Sequence, residues 1–145
     1  MADNTLKDVA QLALDILKDN AASIGVPADN IYWGKHGEMP TLTPFLMVYA
    51  EPLGGDATQT SLLANPVANI MIFAGAGIDD TATANINADF DAVFTAIAYA
   101  ERACRLLISE DDFRVHTPPQ FDNNYGGYYV SYCELTISYE FNALL

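Results

Sequence analysis

The chain has 145 residues, 51% of them hydrophobic, and its 19 acidic and 6 basic side chains give a net charge of −13. This length and apolar content allow a substantial core, which excludes a disordered chain and predicts one domain over residues 1–145. The negative charge argues against binding to nucleic acid or anionic membranes, and no apolar run approaches the roughly 20 residues that span a bilayer.

The first predicted element is an amphipathic helix over residues 5–24. Thr5, followed three residues later by Asp8, predicts a capping box at its start. Gly25 and Pro27 predict its end, because Gly accepts a left-handed cap and Pro cannot continue a helix. The apolar residues fall on one helical stripe: Leu6, Val9, Ala13, Ile16, Leu17 and Ile24.

Three strands are predicted next. The first is a short strand at residues 31–33, and the second is Phe45–Ala50, a continuous apolar run between prolines that suits a strand covered on both faces. A long polar loop follows over residues 52–65. Val67–Ala74 is the third strand, and Gly75–Gly77 is expected to end it.

A second amphipathic helix is predicted to start near Asn87, a good N-cap, and to run from Phe90 to Ile108. Arg102 and Arg105 are then placed near its C-terminal end, where positive charge is favourable. Its apolar residues recur at spacings of three and four: Ile86, Phe90, Val93, Ile97, Ala100, Cys104 and Leu107.

The C-terminal region predicts a short strand at Phe113–Val115 and then a loop that contains Pro118 and Gly126. A long strand is expected over Tyr128–Phe141. Its apolar residues change phase near Cys133, which implies either a β-bulge or a change in the partner that covers the strand. The element order predicts an α+β fold with two amphipathic helices packed on one face of a mixed or antiparallel β-sheet.

The residues that carry chemistry form no recognisable catalytic motif. His36 and His116 lie in loop sequence without a nucleophile elbow, and Gly75–Gly77 lacks the lysine of a phosphate loop. Cys104 and Cys133 lie on different elements without metal-ligand spacing, so we expect two buried free thiols in a cytosolic product. We predict no catalytic residue, no cofactor and no metal.

The acidic residues are unevenly distributed, and residues 36–101 and 115–145 contain no Lys or Arg. This charge either keeps the protein soluble or forms a surface that faces a polyanion without binding it. Two clusters are the candidates for an acidic pore or rim: Asp79, Asp80, Glu110, Asp111 and Asp112.

Tyrosines are concentrated near the C-terminus. They are explained either by packing within the chain or by an interface between subunits, where Tyr is enriched. In the first half of the last strand, the apolar residues lie on the opposite face from those of the second half. These residues and one tyrosine of the preceding loop are the candidate interface: Tyr125, Tyr128, Val130 and Tyr132.

In the order of its elements, its length and its pattern of apolar and polar residues, the chain resembles the tail-terminator proteins of tailed bacteriophages and related neck proteins. The features that carry the resemblance are the first helix, the proline-bracketed strand Phe45–Ala50, the strand Val67–Ala74, the helix Phe90–Ile108 and the ending Glu134–Phe141. The resemblance implies a homo-oligomeric ring, usually a hexamer, that ends the tail tube and joins the head connector. It also implies a place in the virion, after assembly in the host cytoplasm, and a lumen through which DNA passes without specific binding.

Two other classes stay open. One is an enzyme or small-molecule-binding module on a similar α+β frame, for which a deep pocket near His36 or His116 would be the discriminating observation. The other is a different structural subunit of the phage tail, such as a tail-completion or tube protein.

Overall fold

The computed structural model describes residues 5–34, 42–53, 66–77, 88–124 and 128–140. Its helices are α1 (Leu6–Asp19), α2 (Ala21–Ile24) and α3 (Ala88–Glu110), with one 3-10 turn at Ala28–Asn30. Its strands are β1 (Ile31–Trp33), β2 (Phe45–Pro52), β3 (Val67–Gly77), β4 (Arg114–Asn124) and β5 (Tyr128–Ser138). No helix in these ranges is both long enough and apolar enough to cross a membrane.

The predicted first helix is present but divided at Asn20. The Asn20 side chain donates a hydrogen bond of 2.7 Å to the carbonyl of Ile16, which satisfies a helix-end carbonyl and separates α1 from α2. At the start of α1, the Thr5 N–H donates to a carboxylate oxygen of Asp8 at 2.9 Å, which confirms the capping box. These bonds from Thr5 hold the pKa of the Asp8 carboxyl below its usual value. Gly25 closes α2 with a positive φ of 96°, as predicted.

The five strands form one mixed sheet in the order β1-β2-β3-β5-β4. β1 lies parallel to β2 at one edge, and every other neighbouring pair is antiparallel. α1 lies over β1, β2 and β3, whereas α3 lies over β3, β5 and β4. This arrangement confirms the predicted α+β fold with helices on one face of the sheet.

The main core lies between the helices and the sheet. Leu17 of α1, Leu107 of α3 and the inward residues of the central strands are fully buried there. On β3 and β5 the helix-facing positions alternate as period-two side chains require, with Ile70, Ile72 and Leu135 at the centre. Burial of this apolar surface is the main stabilising term.

The other face of the sheet, the far face, carries a second and smaller core. Phe45, Met47 and Val130 are buried there, and Tyr32, Phe73 and Tyr128 pack against them. This second core explains the phase change near Cys133. β5 pairs with β3 without a register shift, so the change reflects a different covered face and not a bulge. The apolar run that begins at Phe45 is buried on both faces, as predicted.

The predicted loop after Val115 is wrong, because Arg114–Asn124 is one long strand that contains Pro118 and Pro119. Proline cannot donate to a ladder, so it is tolerated only on an edge strand or at a bulge, and β4 is both. Its pairing with β5 has register shifts between Val115 and Thr117, between Thr117 and Gln120 and between Phe121 and Asn123. The extra residues of this pair therefore lie on β4 and not on β5.

Two strand ends also differ from the prediction. Gly75–Gly77 does not end β3 but continues it, with Gly75 paired to Phe45 on one side and Val130 on the other. The Phe45 ring lies over Gly75, so the glycine is a site of close packing. β5 ends at Ser138, and Phe141 lies outside the described residues.

α3 is present, but its inward face differs from the predicted stripe. Its first half buries Ala92 and Ala96, whereas Phe90 remains 63% exposed. The helix also continues to Glu110, so Arg102 lies well before its end. Instead of interacting with that end, the Arg102 guanidinium donates a hydrogen bond of 2.9 Å to the carbonyl of Ile24 and so joins α3 to α2. Asn87, the predicted N-cap, lies outside the described residues.

Candidate functional site

An exposed apolar surface runs along α3 and the edge strand β4. Among the described residues, seven large hydrophobic side chains are exposed, and five of them lie on α3 or β4. We call these five the α3–β4 strip: Phe90, Phe94, Ile108, Val115 and Phe121. Monomeric proteins rarely expose a contiguous apolar surface without a partner, so the strip is the first candidate for function.

The geometry of α3 explains how the strip forms. Phe90 and Phe94 are four residues apart on one side of the helix, and their ring centroids lie 4.7 Å apart. Tyr99 and Arg102 lie on the other side and contact α2 at Gly25 and Ile24. The strip therefore faces away from α1 and α2, towards β4.

The sheet contributes the rest of the strip. Phe121 pairs with Ser131 and Val115 pairs with Leu135, and both partners face the helices, so Phe121 and Val115 do as well. The Ser131 hydroxyl donates a hydrogen bond of 2.6 Å to the carbonyl of Ala96, which fixes the first half of α3 over this end of β5. The Phe121 ring lies 6.0 Å from that of Tyr129 and completes the aromatic end of the strip.

A concave apolar surface lies at the opposite edge of the sheet. It is a groove of about 380 Å³ between α1 and the strands β1 and β2, and we call it the α1 groove. Trp33 is 46% exposed at its wall, with its ring centroid 5.7 Å from that of Tyr49. The lining residues are Leu6, Lys7, Ala10, Gln11, Leu14, Trp33 and Ala50.

Charged residues lie beside both surfaces. Lys7 lines the α1 groove and is one of 6 basic residues in the chain. Asp91 and Glu101 are exposed on α3 beside the aromatic end and the middle of the strip. Gln11 of the groove donates a hydrogen bond of 2.8 Å to the exposed Asp15 carboxylate, and the exposed Arg105 lies one helical turn from Ile108 of the strip, so neither rim has a single sign of charge.

The aromatic residues predicted as an interface belong to the far face. Val130 is fully buried by its own chain, so its burial needs no neighbouring subunit. The Tyr128 ring lies edge-on to Phe45 at 5.8 Å, and the half-buried Tyr132 ring stacks on Phe73 at the same separation. Tyr125 lies outside the described residues. A contact between subunits at these four positions stays a prediction.

The far face becomes polar towards the other end of the sheet. Asn69 is only 5% exposed, and its side-chain amide donates a hydrogen bond of 3.2 Å to one carboxylate oxygen of Glu134. The Thr117 hydroxyl donates to the other carboxylate oxygen at 2.6 Å. Oδ1 of Asn69 is buried and has no partner within the described structure. These bonds fix Glu134 between two strands, so the far face is apolar near Phe45 and polar near Asn69.

The second acidic cluster lies at the end of α3. Glu110 is the last helical residue, and the exposed Asp111 and Asp112 follow it. Asp111, Asp112 and Arg114 line a polar cavity of about 420 Å³ that also includes residues at the end of β5. Asp79 and Asp80 lie outside the described residues, and a role for either cluster in a pore or rim stays a prediction. Within the described ranges, no three His, Cys, Asp or Glu side chains form a group that could hold a metal ion.

The one histidine within the described residues lines neither cavity. His116 is exposed on the edge strand β4, and it lies in neither the α1 groove nor the polar cavity. His36 lies outside the described residues. The sequence predicted a loop around His116, but this residue lies on a strand. The error has the same cause as the wrong prediction of a loop after Val115.

The two cysteines, distant in the sequence, meet in the main core. Both are buried free thiols, and the Cys133 thiol donates a hydrogen bond of 3.9 Å to the carbonyl of Ala100. The neighbouring Cys104 thiol and the burial of its own thiol raise the pKa of Cys133 well above its usual value. This contact could not be predicted from the sequence, because it depends on how α3 is placed over β5.

We expect both thiols to react slowly in the folded protein, because burial keeps both side chains from a thiol reagent. Thiol titration under native conditions should show little modification in the time that the unfolded chain, in denaturant, needs to react completely. Rapid labelling of two thiols per folded chain would contradict the burial of Cys104 and Cys133.

Comparison with known proteins does not assign the chain to a family. No protein-family model matches the chain, and no curated protein gives a significant match. Functional inference therefore depends on the surfaces of the chain itself.

Proposed function

We propose that the chain is a structural subunit that forms a closed ring at the neck of a tailed phage. In this role a homo-oligomer, hexameric by analogy with the family it resembles, ends the tail tube and joins it to the head connector. The observation that carries the proposal is the pair of exposed apolar surfaces, the α3–β4 strip and the α1 groove, on opposite edges of one sheet. Surfaces of this kind favour association of copies in one direction.

The charge of the chain supports the same role. A ring with a net charge of −13 per subunit has a negative field, and a negative lumen lets DNA pass without being retained. Glu110, Asp111 and Asp112 are exposed at one end of the molecule, which suits a rim or a pore surface. We include Asp79 and Asp80 in the proposed rim or pore surface because they form an acidic pair in the sequence.

Electron microscopy of the purified protein at high concentration tests this function. We expect closed annular particles of uniform diameter with an open centre and not filaments, because head-to-tail contacts form a ring when the rotation between neighbouring copies closes. Duplex DNA at physiological ionic strength should not be retained by the protein, since its charge opposes binding. Uniform single-chain particles, or tight binding of duplex DNA, would contradict the proposal.

A second candidate function is favoured by the shape of the α1 groove. Ligand sites are concave and mostly apolar, and a volume of about 380 Å³ is within the range of small-molecule pockets. On this alternative the chain is a binding module or an enzyme, and it remains a monomer that binds a small apolar molecule beside Trp33. Loss of a measurable activity in His116→Ala or His36→Ala would also favour it. Another tail subunit, such as a tail-completion or tube protein, would differ in where the ring lies in the particle.

A further inference from the structure

We propose that the polar end of the far face binds a hard divalent cation, Ca²⁺ or Mg²⁺, between Asn69 of β3 and Glu51 of β2. Glu134 of β5 supports the site from the other side of Asn69. This inference goes beyond the proposed function and does not depend on it, because an ion can bind to a single chain or to a ring. The sequence predicted no metal because it offered no ligands at suitable spacing, whereas these three residues come from three strands.

The observation that indicates a ligand is the buried side chain of Asn69. This side chain is only 5% exposed, and its oxygen Oδ1 has no hydrogen-bond partner in the part of the chain that the structure describes. Nearly all buried polar groups in folded proteins have a partner, because a buried acceptor without one loses its hydration and gains nothing in return. Oδ1 therefore requires a group that the described chain does not supply.

The hydrogen bond to Glu134 determines the direction in which Oδ1 points. The amide nitrogen of Asn69 donates to this carboxylate at 3.2 Å, and the opposite orientation of the amide would place two acceptor oxygens together. Since the nitrogen points towards β5, the oxygen on the other side of the amide points towards β2. The β2 residue paired with Asn69 is Glu51. Paired residues have Cβ atoms about 5 Å apart, so the exposed Glu51 carboxylate can reach an ion on Oδ1.

The surrounding hydrogen bonds hold Asn69 as a ligand is usually held. The Thr117 hydroxyl donates to Glu134 at 2.6 Å and fixes this carboxylate, which in turn fixes the amide of Asn69. Outer hydrogen bonds of this kind orient a ligand and increase the negative charge on its donor atom. Asn69 and Glu51 therefore act as the ligands, and Glu134 and Thr117 position Asn69.

Charge and burial favour a metal ion over other donors. The carboxylates of Glu51 and Glu134 flank Asn69, and β2, β3 and β5 contain no Lys or Arg. Arg114 of β4 is exposed and pairs with Thr136, so β5 separates it from Asn69. A buried oxygen excludes a bulky cationic side chain of another protein, and a water molecule would not balance the two carboxylates. Carbonyl and carboxylate oxygens are the ligands that Ca²⁺ prefers, and waters complete its coordination.

Calorimetric titration of the wild-type chain with CaCl₂, and separately with MgCl₂, at physiological ionic strength tests the site. We expect one ion per chain with a dissociation constant of roughly 10⁻⁴–10⁻³ M, the weak end of calcium sites. Glu51→Gln removes one ligand at an exposed position and should weaken binding about tenfold or more. Glu101→Gln is the matched control, because it makes the same change at an exposed position of α3 and should leave binding unchanged.

Two substitutions at Asn69 separate ion binding from stability. Asn69→Leu has a similar size but no oxygen, so its thermal midpoint should be the same in CaCl₂ and in EDTA, whereas CaCl₂ should raise that of the wild type. Asn69→Asp keeps the oxygen ligand but places a third carboxylate beside Glu51 and Glu134. This variant should be less stable than the wild type in EDTA, and CaCl₂ should raise its midpoint by more than that of the wild type.

Three results would overturn the inference. If neither ion binds at about ten times the expected dissociation constant, the partner of Oδ1 is a water molecule. If Glu51→Gln and Glu101→Gln weaken binding equally, the ions associate with the acidic surface as a whole. If Asp111→Asn combined with Asp112→Asn abolishes binding, the ion belongs to the polar cavity at the end of α3. None of these results changes the proposal of a ring, which the mass in solution tests separately.

Discussion

The Gly75→Ala variant is expected to have a free energy of unfolding about 1–3 kcal/mol lower than that of the wild type, the usual range for overpacking a core. A Cβ atom on Gly75 would lie 2.0 Å from Cε2 of the Phe45 ring. This ring is fully buried and is held edge-on to Tyr128 at a centroid distance of 5.8 Å, so it cannot move without disturbing the far-face core. Urea denaturation, followed by circular dichroism, measures the change.

Gly77→Ala is the matched control for this prediction. Gly77 is exposed, and the nearest atom to its added Cβ, at 2.6 Å, is the terminal hydroxyl oxygen of Thr43, which can rotate away. We therefore expect a much smaller loss of stability from the same substitution two residues along the same strand. Equal effects at Gly75 and Gly77 would mean that the Phe45 ring does not lie over Gly75 as described.

Leu135→Ala is expected to lower the free energy of unfolding by about 2–5 kcal/mol, because it removes buried apolar atoms and leaves a cavity. Leu135 is fully buried in the main core, where it lies on β5 between Ile70 and Val115. Neighbouring backbone in a paired sheet cannot collapse fully into the space. The urea midpoint should fall markedly, without a change in the slope of the transition.

Val115→Ala provides the comparison for Leu135→Ala. Val115 is the cross-strand neighbour of Leu135 on β4, but it is 45% exposed as part of the α3–β4 strip. Its truncation should change the free energy of unfolding by less than about 0.5 kcal/mol, as is usual for surface positions. A large effect at Val115 would show that the strip is covered within the chain and is not a surface for a partner.

The sequence was sufficient to predict the features that depend on local chemistry. The capping box at Thr5 and Asp8 and the left-handed Gly25 follow from the hydrogen-bonding and steric properties of those residues. The long strands β2 and β3 and the α+β fold follow from apolar runs and helical periodicity. These signals are strong because the neighbouring residues in the chain determine them.

The errors come from positions where the tertiary context decides. Pro118 and Pro119 predict a loop locally, but an edge strand accepts them because only one side of β4 is paired. Gly75 predicts a strand end locally, but in the sheet it provides space for Phe45. The local sequence does not show which strand will lie at the edge of the sheet, or over which residue an aromatic ring will pack.

The candidate surfaces could not be predicted from the sequence either. Periodicity identifies an apolar stripe on α3, but it cannot distinguish the small residues that pack against the sheet from the large ones left outside. Ala96 is buried and Phe94 is 55% exposed, the reverse of what hydrophobicity alone predicts. A large aromatic residue beside alanines in a helix is therefore a signal of an interface that sequence reasoning could have weighed.

The far-face tyrosines show that the sequence also could not predict which side chains of the same chain cover a surface. The sequence correctly separated Tyr128, Val130 and Tyr132 from the residues that face the helices, and it predicted an external partner for them. Much of that partner is the chain itself, since Phe45 and Phe73 contact the two tyrosine rings. Whether their remaining exposed parts contact another subunit is a separate prediction, tested by replacing both tyrosines with serine.

The mass of the wild-type protein in solution, measured by light scattering over a wide range of concentrations, tests the central claim most directly. The proposed ring predicts one defined mass, a hexamer by analogy, with no intermediate species at high concentration because closure of the ring adds a contact that open oligomers lack. The mass should return to the 15.7 kDa of a single chain only on strong dilution. A mass of 15.7 kDa at every concentration would contradict the claim that this chain forms rings.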